Sequence, residues 1–173
     1  MEITWYGRTS FALKGPHGLV VTDPLDASGS PPTADIVTLS QPPSPEVYAK
    51  LQVKSKALRG PGEYEISDVF VTAIRTYRDN QHGALRGPNT VYRFKIEGLA
   101  VCHLGALGHL LNNEQVSAIG DVDVLFVPVG GDSLTPEHAS ETIGALEPKV
   151  IVPVPMAAKA AESKPAVDAL VKE

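Results

Sequence analysis

Cysteine, histidine and long apolar runs are scarce in this sequence of 173 residues. The single cysteine, Cys102, excludes an internal disulfide and a cysteine-rich zinc site. No apolar run approaches the ~20 residues that a membrane-spanning helix needs. The N-terminal residues also lack the basic and apolar regions of a secretory signal. We therefore expect a cytoplasmic protein that does not insert into a membrane.

Acidic residues outnumber basic ones, with 20 Asp and Glu against 15 Lys and Arg and a formal net charge of −5. This excess argues against a general nucleic-acid-binding surface, so no nucleic-acid partner is expected. A hydrophobic fraction of 43% is ordinary for a globular chain of this length. We expect a single domain over residues 1–173.

The predicted elements change along the chain from a series of strands to an alternation of strands and helices. Apolar alternation and turn residues predict strands over residues 3–6, 11–14, 18–22, 36–39, 57–59, 69–77, 90–96, 99–102, 122–129 and 150–154. Caps and prolines predict helices over residues 45–51, 113–119 and 136–146, and from about 163 to the end. This order indicates an α/β protein with mixed sheets and helices on the outer faces.

Several segments spread over most of the chain share their order and spacing with one known family. They include Trp5-Tyr6-Gly7-Arg8-Thr9-Ser10-Phe11, Thr22-Asp23-Pro24, Gly60-Pro61-Gly62-Glu63-Tyr64, Val101-Cys102-His103-Leu104-Gly105 and Glu147-Pro148-Lys149-Val150. Together they resemble the metallo-β-lactamase-fold superfamily, in its small Zn-dependent hydrolase branch. The resemblance implies a four-layer αββα sandwich of two mixed β-sheets flanked by helices. In that family the cofactor is zinc.

Most metal-ligand positions of that family hold other residues in this sequence. The resemblance places the family's ligands at Gln41, Pro43, Pro45, Glu46, His103, Ala106 and Pro155, of which only His103 keeps the family residue. Proline and alanine side chains offer no donor atom, and a catalytic zinc takes at least three protein ligands. We therefore expect a vestigial site with no catalytic residue, no metal and no cofactor.

A metal-dependent hydrolase remains an alternative, with an atypical mononuclear site around His103. Glu46, Asp23 and Asp79 would supply the residual ligands, and Glu63 is a further oxygen donor for a hard cation. The competing interpretation is that these carboxylates brace turns by accepting backbone N–H bonds. On that interpretation His103 is a structural histidine bonded to a backbone group.

Cys102 stands next to His103, which suggests a nucleophile and its base. Successive strand residues point to opposite faces, so we expect instead a buried, inert cysteine. The other histidines show no ligand spacing: His17 and His82 fall in turn-rich loops, His109 near a loop-to-helix junction, and His138 in the first turn of a helix.

Two arginines stand where the family often carries histidine. Arg8 lies in the opening motif, and Arg78 lies in Thr76-Tyr77-Arg78-Asp79. If both face the cleft that holds the metal in the family, their guanidinium groups could hold phosphate or carboxylate through bidentate bonds. Otherwise they are solvated or pair with a carboxylate such as Asp79. The sequence thus predicts a non-catalytic protein that binds a small anionic ligand or a protein partner, including a second copy of itself. A purely structural or assembly role has no positive sign in the sequence.

Overall fold

A computed structural model of the protein describes residues 1–24, 32–43, 45, 55–156 and 160–170. Its strands form two mixed sheets. The first sheet has the order β1-β2-β3-β4-β5, with antiparallel pairing from β1 to β3 and parallel pairing from β3 to β5. Its strands are β1 (Glu2–Gly7), β2 (Ser10–Lys14), β3 (Leu19–Thr22), β4 (Ile36–Leu39) and β5 (Lys56–Arg59).

The second sheet has the order β11-β10-β9-β8-β7-β6. Strands β6 to β9 pair antiparallel, and β9, β10 and β11 pair parallel. Its strands are β6 (Gly62–Ile66), β7 (Val69–Tyr77), β8 (Pro88–Ile96), β9 (Leu99–His103), β10 (Val124–Val129) and β11 (Val150–Pro155).

Three helices lie in the described second half: α1 (Asn113–Ile119), α2 (Pro136–Leu146) and α3 (Ala160–Leu170). The Asn112 side chain caps α1 and forms a capping box with Gln115, while Thr135 caps α2 ahead of a proline. The helices pack against β7, β10 and β11 of the second sheet. Among the described helices, none has the length and apolar character needed to cross a membrane.

Successive strand residues alternate between two apolar cores. Tyr92 and Phe126 belong to the core between the sheets, whereas their neighbours Val91 and Leu125 belong to the core under the helices. This alternation is the period of two that a buried sheet imposes. The expected α/β sandwich of two mixed sheets flanked by helices is therefore confirmed.

Most predicted elements are confirmed, with small shifts at their ends. Strand β6 was not predicted, because Gly60-Pro61-Gly62 has the composition of a turn and the following strand is short. Helix α3 begins at Ala160 rather than near residue 163, so that Pro165 lies inside it. The helix predicted over residues 45–51 lies outside the described residues except at its first position.

A hydrogen-bonded tyrosine joins the two sheets. Tyr92 on β8 is fully buried, and its hydroxyl lies 3.1 Å from the carbonyl oxygens of both Leu39 and Leu58 in the first sheet. Burial raises the pKa of this phenol above its ordinary value of 10.0, with a smaller contribution from the negative charge of Asp23. The hydroxyl therefore stays protonated and available as a donor.

We expect the substitution Tyr92→Phe to lower the free energy of unfolding by about 1–2 kcal/mol, because two buried carbonyl groups lose a donor. Urea denaturation measures this change. The matched control is Tyr64→Phe, whose hydroxyl is 3.5 Å from the Pro61 carbonyl at an exposed position. Equal effects of the two substitutions would contradict the bridging role of Tyr92.

Candidate functional site

Hydrogen bonds to Asp23 fix the backbone at the start of the loop that follows β4. Asp23, directly after β3, adopts a left-handed φ of 39°, and its Oδ1 accepts the backbone N–H of Ser40 at 2.6 Å. The Asp23 N–H in turn donates to the carbonyl of Thr38 at 2.8 Å. The structure thus supports the interpretation of Asp23 as a brace for this loop.

On the second sheet, the buried side chain of Asn89 holds the turn after β9, and sequence reasoning did not identify this residue. Asn89 on β8 accepts the N–H of Ala106 at 2.9 Å and donates to the Leu104 carbonyl at 2.9 Å and to the Thr76 hydroxyl at 2.7 Å. The next residue, Thr90, donates its N–H to the Ser40 carbonyl. Asn89 therefore shapes the turn that carries Ala106, one of the ligand positions that the resemblance implies.

His103 ends β9 inside the core rather than in an open cleft. Its ring lies 6.1 Å from the ring of Phe11 and 5.9 Å from that of Phe126, between centroids, and only 1% of the residue is exposed. Burial lowers its pKa to about 4, against an opposing effect of the Thr9 backbone. Within the described part of the chain, neither ring nitrogen has a partner in hydrogen-bonding geometry. The Thr9 backbone lies beside the ring, so the expected bond to a backbone group stays a prediction, and the ring packs against Phe11 and Phe126.

The other ligand positions bring no donor set to His103. Ala106 is buried, Pro155 is half-buried at the end of β11, and Gln41 and Pro43 are half-buried in the loop after β4. Pro45 is exposed, and Glu46 lies outside the described residues. Across the described ranges, no group of three or more His, Cys, Asp or Glu side chains could hold a metal ion. The residues present therefore do not fit the zinc centre that the fold family implies.

Asp79 uses both carboxylate oxygens to fold its own loop. Oδ1 accepts the N–H groups of Gln81 and Gly83 at 2.8 and 2.9 Å, and Oδ2 accepts those of Leu85 and Arg86 at 3.2 and 2.7 Å. Burial alone would raise the pKa of Asp79, but these four bonds outweigh it and hold the pKa below 3.8. Asp79 is thus a loop brace. The remaining oxygen candidate, Glu63, is exposed on β6.

We expect Asp79→Asn to increase hydrogen exchange at the amides of residues 81, 83, 85 and 86, because an amide nitrogen cannot accept an N–H bond. The folded-state pKa of Asp79 is lowered, so its stabilisation is present above pH 3.8 and is lost as the pH falls through the folded-state value. Wild-type exchange at these amides should therefore rise, relative to intrinsic rates, only at such low pH.

The control for this loop is Asp132→Asn, which removes an exposed ion pair with Arg86 and should leave exchange nearly unchanged. Equal protection of the four amides in Asp79→Asn and in the wild type would contradict the assignment.

Arg8 and Arg78 lie beside different sheets. Arg8 is exposed in the turn between β1 and β2, with a φ of 45°, and its carbonyl accepts the Trp5 indole N–H. Arg78 follows β7 and is half-buried, and its Nη1 donates to the Arg86 carbonyl at 3.1 Å. Their proposed cooperation in anion binding stays a prediction.

A cavity of about 300 Å³ opens beside the loop after β4. Its described lining contains two arginines, Arg59 and Arg75, and no carboxylate. Sequence reasoning missed this pair because it considered only arginines at positions where relatives carry histidine. The lining residues are Leu39, Ser40, Gln41, Pro42, Pro43, Arg59, Gly60, Pro61, Arg75, Pro88, Asn89 and Thr90.

The remaining candidate side chains have structural roles or are exposed. Cys102 is fully buried in the core under the helices, which confirms the expected buried cysteine, and burial raises the pKa of its thiol to about 12. His109 accepts the Tyr77 N–H at Nε2 (3.1 Å) and lies 2.7 Å from the Leu110 carbonyl at Nδ1, so Nδ1 carries the proton. The exposed histidines are His17, His82 and His138.

Comparisons with known proteins agree with this fold. A family model described as the beta-lactamase superfamily domain matches residues 2–155. A structure from Thermotoga maritima, assigned to the Zn-dependent hydrolases of the metallo-β-lactamase superfamily, is 35% identical with a TM-score of 0.79, covering 98% of this chain and 84% of that one. The chain is therefore a metallo-β-lactamase-fold protein, and it belongs to the beta-lactamase superfamily.

More distant structures share the fold alone. A protein from Parabacteroides distasonis, assigned as a metal-dependent hydrolase, is 20% identical with a TM-score of 0.71, covering 97% of this chain and 87% of that one. The metallo hydrolase Igni18 from Ignicoccus hospitalis is 18% identical with a TM-score of 0.65, covering 96% and 89%. A comparison with functionally curated proteins gave no match.

Proposed function

We propose that this protein is a pseudoenzyme: a metal-free, non-catalytic member of its superfamily that acts by binding a small anionic ligand. The observation that carries the proposal is the position of His103, which is the one retained ligand and is sealed between Phe11 and Phe126. A catalytic zinc needs three protein ligands and an open coordination position for water or substrate.

The other ligand positions of the family support the same conclusion, both on the second sheet and in the loop after β4. Ala106 and Pro155 offer no donor on the second sheet, and Pro43 and Pro45 offer none in the loop after β4. Hydrolysis by the family's chemistry uses a metal-activated water. A metal-free member of the superfamily keeps the fold but has a different function, and the fold alone does not determine that function.

Anion binding is the favoured use because arginines replace family histidines at Arg8 and Arg78. Guanidinium groups recognise phosphate and carboxylate through paired hydrogen bonds. A protein partner, including a second copy of the chain, is the other binding function proposed here. The catalytic alternative, a mononuclear hydrolase around His103, would need donors from Glu46, Asp23 or Asp79, yet Asp79 already accepts four N–H bonds.

We expect protein produced in medium supplemented with zinc, manganese and iron to contain far less than one metal ion per chain. Elemental analysis by inductively coupled plasma mass spectrometry measures this content. The physical reason is the absence of a sufficient donor set at the family's ligand positions. Stoichiometric metal in the purified protein would overturn the proposal and favour the mononuclear hydrolase.

The control is a variant that restores the family's residues at the six altered positions: Gln41→His, Pro43→His, Pro45→Asp, Glu46→His, Ala106→Asp and Pro155→His. Metal uptake by this variant under the same conditions would show that the fold can still be loaded.

We expect His103→Leu to leave the thermal midpoint unchanged or higher, because leucine keeps the apolar packing against Phe11 and Phe126 and removes a polar ring from a fully buried position. The matched control is His109→Leu, which strands the Tyr77 N–H and the Leu110 carbonyl and should cost about 1–3 kcal/mol. Thermal unfolding with and without EDTA compares both variants with the wild type. A wild-type midpoint that falls in EDTA, together with a destabilised His103→Leu insensitive to EDTA, would indicate a metal at His103.

A further inference from the structure

The cavity beside the loop after β4, hereafter the arginine cavity, combines positive charge with an apolar wall. We propose that it is the binding site for a small organic anion, a carboxylate or phosphate monoester attached to a compact apolar body. This inference rests on the proposed anion-binding function and assigns it to Arg59 and Arg75 rather than to Arg8 and Arg78.

The described lining of the arginine cavity includes basic side chains, although the molecule as a whole is acidic. The chain carries a formal net charge of −5, yet the described lining includes two arginines and no carboxylate, and Arg59 also interacts with another group of the chain. A concave site of one sign between low-dielectric walls focuses its field and attracts ligands of the opposite sign. The ligand that this charge favours is an anion.

The two arginines stand on strands, which fixes their positions relative to each other. Arg59 ends β5 and is the register partner of Leu39 at the end of β4. Arg75 on β7 is the register partner of Thr90 on β8, whose N–H binds the Ser40 carbonyl. One network of backbone hydrogen bonds therefore links both strands to the loop between them, and sites built on strands hold their groups more firmly than sites on loops.

Strand alternation places Arg75 at the mouth of the space between the sheets. Val69, Val71 and Ala73 are the preceding residues on the same face of β7, and all three belong to the core between the sheets. Arg75 continues this row where burial ends and the side chain becomes exposed. Because burial of an unpaired charge is costly, a charged side chain at this point does not stabilise the core, but it can bind an anionic ligand in the cavity.

Prolines make up much of the remaining described lining. Pro42, Pro43, Pro61 and Pro88 line the cavity together with Leu39. Proline rings fix the backbone φ and present apolar surface without an N–H group. These prolines, of which Pro43 also stands at a ligand position of the family, thus provide a stiff apolar surface for the body of the ligand.

Size and polarity define the class of ligand. A cavity of about 300 Å³ is at the lower end of small-molecule sites, so the ligand is small. The arginines suit a carboxylate or phosphate head, and the prolines suit an apolar ring or chain. Inorganic phosphate meets only the first requirement and should bind more weakly than an aryl phosphate.

The test is a titration of the full chain with phenyl phosphate, benzoate, inorganic phosphate and neutral benzyl alcohol, followed by amide NMR. We expect saturable binding of phenyl phosphate and benzoate, weaker binding of inorganic phosphate, and none of benzyl alcohol. The amide shifts should change at residues 41, 60, 75 and 90. Saturable shifts confined to other parts of the chain, or no binding of any anion, would overturn the inference.

Variants then assign the charges. Arg59→Gln and Arg75→Gln should each weaken phenyl phosphate binding by roughly tenfold or more, since each removes a charged hydrogen-bond donor. The matched control is Lys95→Gln, which removes one positive charge at an exposed position farther along β8 and should leave affinity unchanged. Arg75→Lys keeps the charge but loses the guanidinium fork and should bind with intermediate affinity. Equal affinity of all variants and the wild type would overturn the inference.

The outcomes separate this inference from the function on which it rests. Binding that survives Arg59→Gln and Arg75→Gln but is lost in Arg8→Gln or Arg78→Gln would overturn the arginine cavity and leave anion binding intact. Stoichiometric metal would overturn the pseudoenzyme proposal whatever the anion titration shows. Unchanged thermal midpoints of the variants confirm that a lost affinity is not a lost fold, and the wild-type amide shifts locate the site without any substitution.

Discussion

The hydrogen bond from the Ser40 N–H to the Asp23 carboxylate is the constraint on which the site depends. It fixes the start of the loop after β4, and the Ser40 carbonyl then receives the N–H of Thr90 from the other sheet. Gly105, with a φ of 64°, fits against the same serine, because an added Cβ would come within 2.6 Å of the Ser40 side chain. Four chain segments thus meet at Ser40 through hydrogen bonds and close packing.

This arrangement explains how the family's scaffold persists while its ligand positions change. The contacts around Ser40 use main-chain groups and residues outside the ligand set, so proline or alanine at the ligand positions leaves them intact. His103 is part of the core between the sheets, where it packs against Phe11 and Phe126. Membership of the superfamily therefore describes the fold of this chain and does not by itself describe its chemistry.

Local patterns predicted the elements, whereas the cavity depends on contacts between distant segments. Strand β7 and helix α1 were predicted with their observed bounds, because period-two alternation and an asparagine cap are signals within a few residues. The buried Cys102 followed from alternation as well. Asn89 and the pair Arg59 and Arg75 were missed, since only the registers of β5 with β4 and of β7 with β8 bring them to the loop. Family positions directed attention to Arg8 and Arg78 instead.

The shape of the loop after β7 depends on hydrogen bonds between its backbone N–H groups and the Asp79 carboxylate, and less on its other side chains. Because Asp79 binds the N–H groups of residues 81, 83, 85 and 86, proline is excluded from all four positions. Position 83 also favours glycine, because its φ is 83° and an added Cβ would lie 2.9 Å from the Tyr77 ring. Apart from these requirements, the sequence of this loop is free to diverge while its shape persists. The side chains of Gln81 and Leu85 are exposed, so these two positions can carry a spectroscopic label that does not disturb the fold.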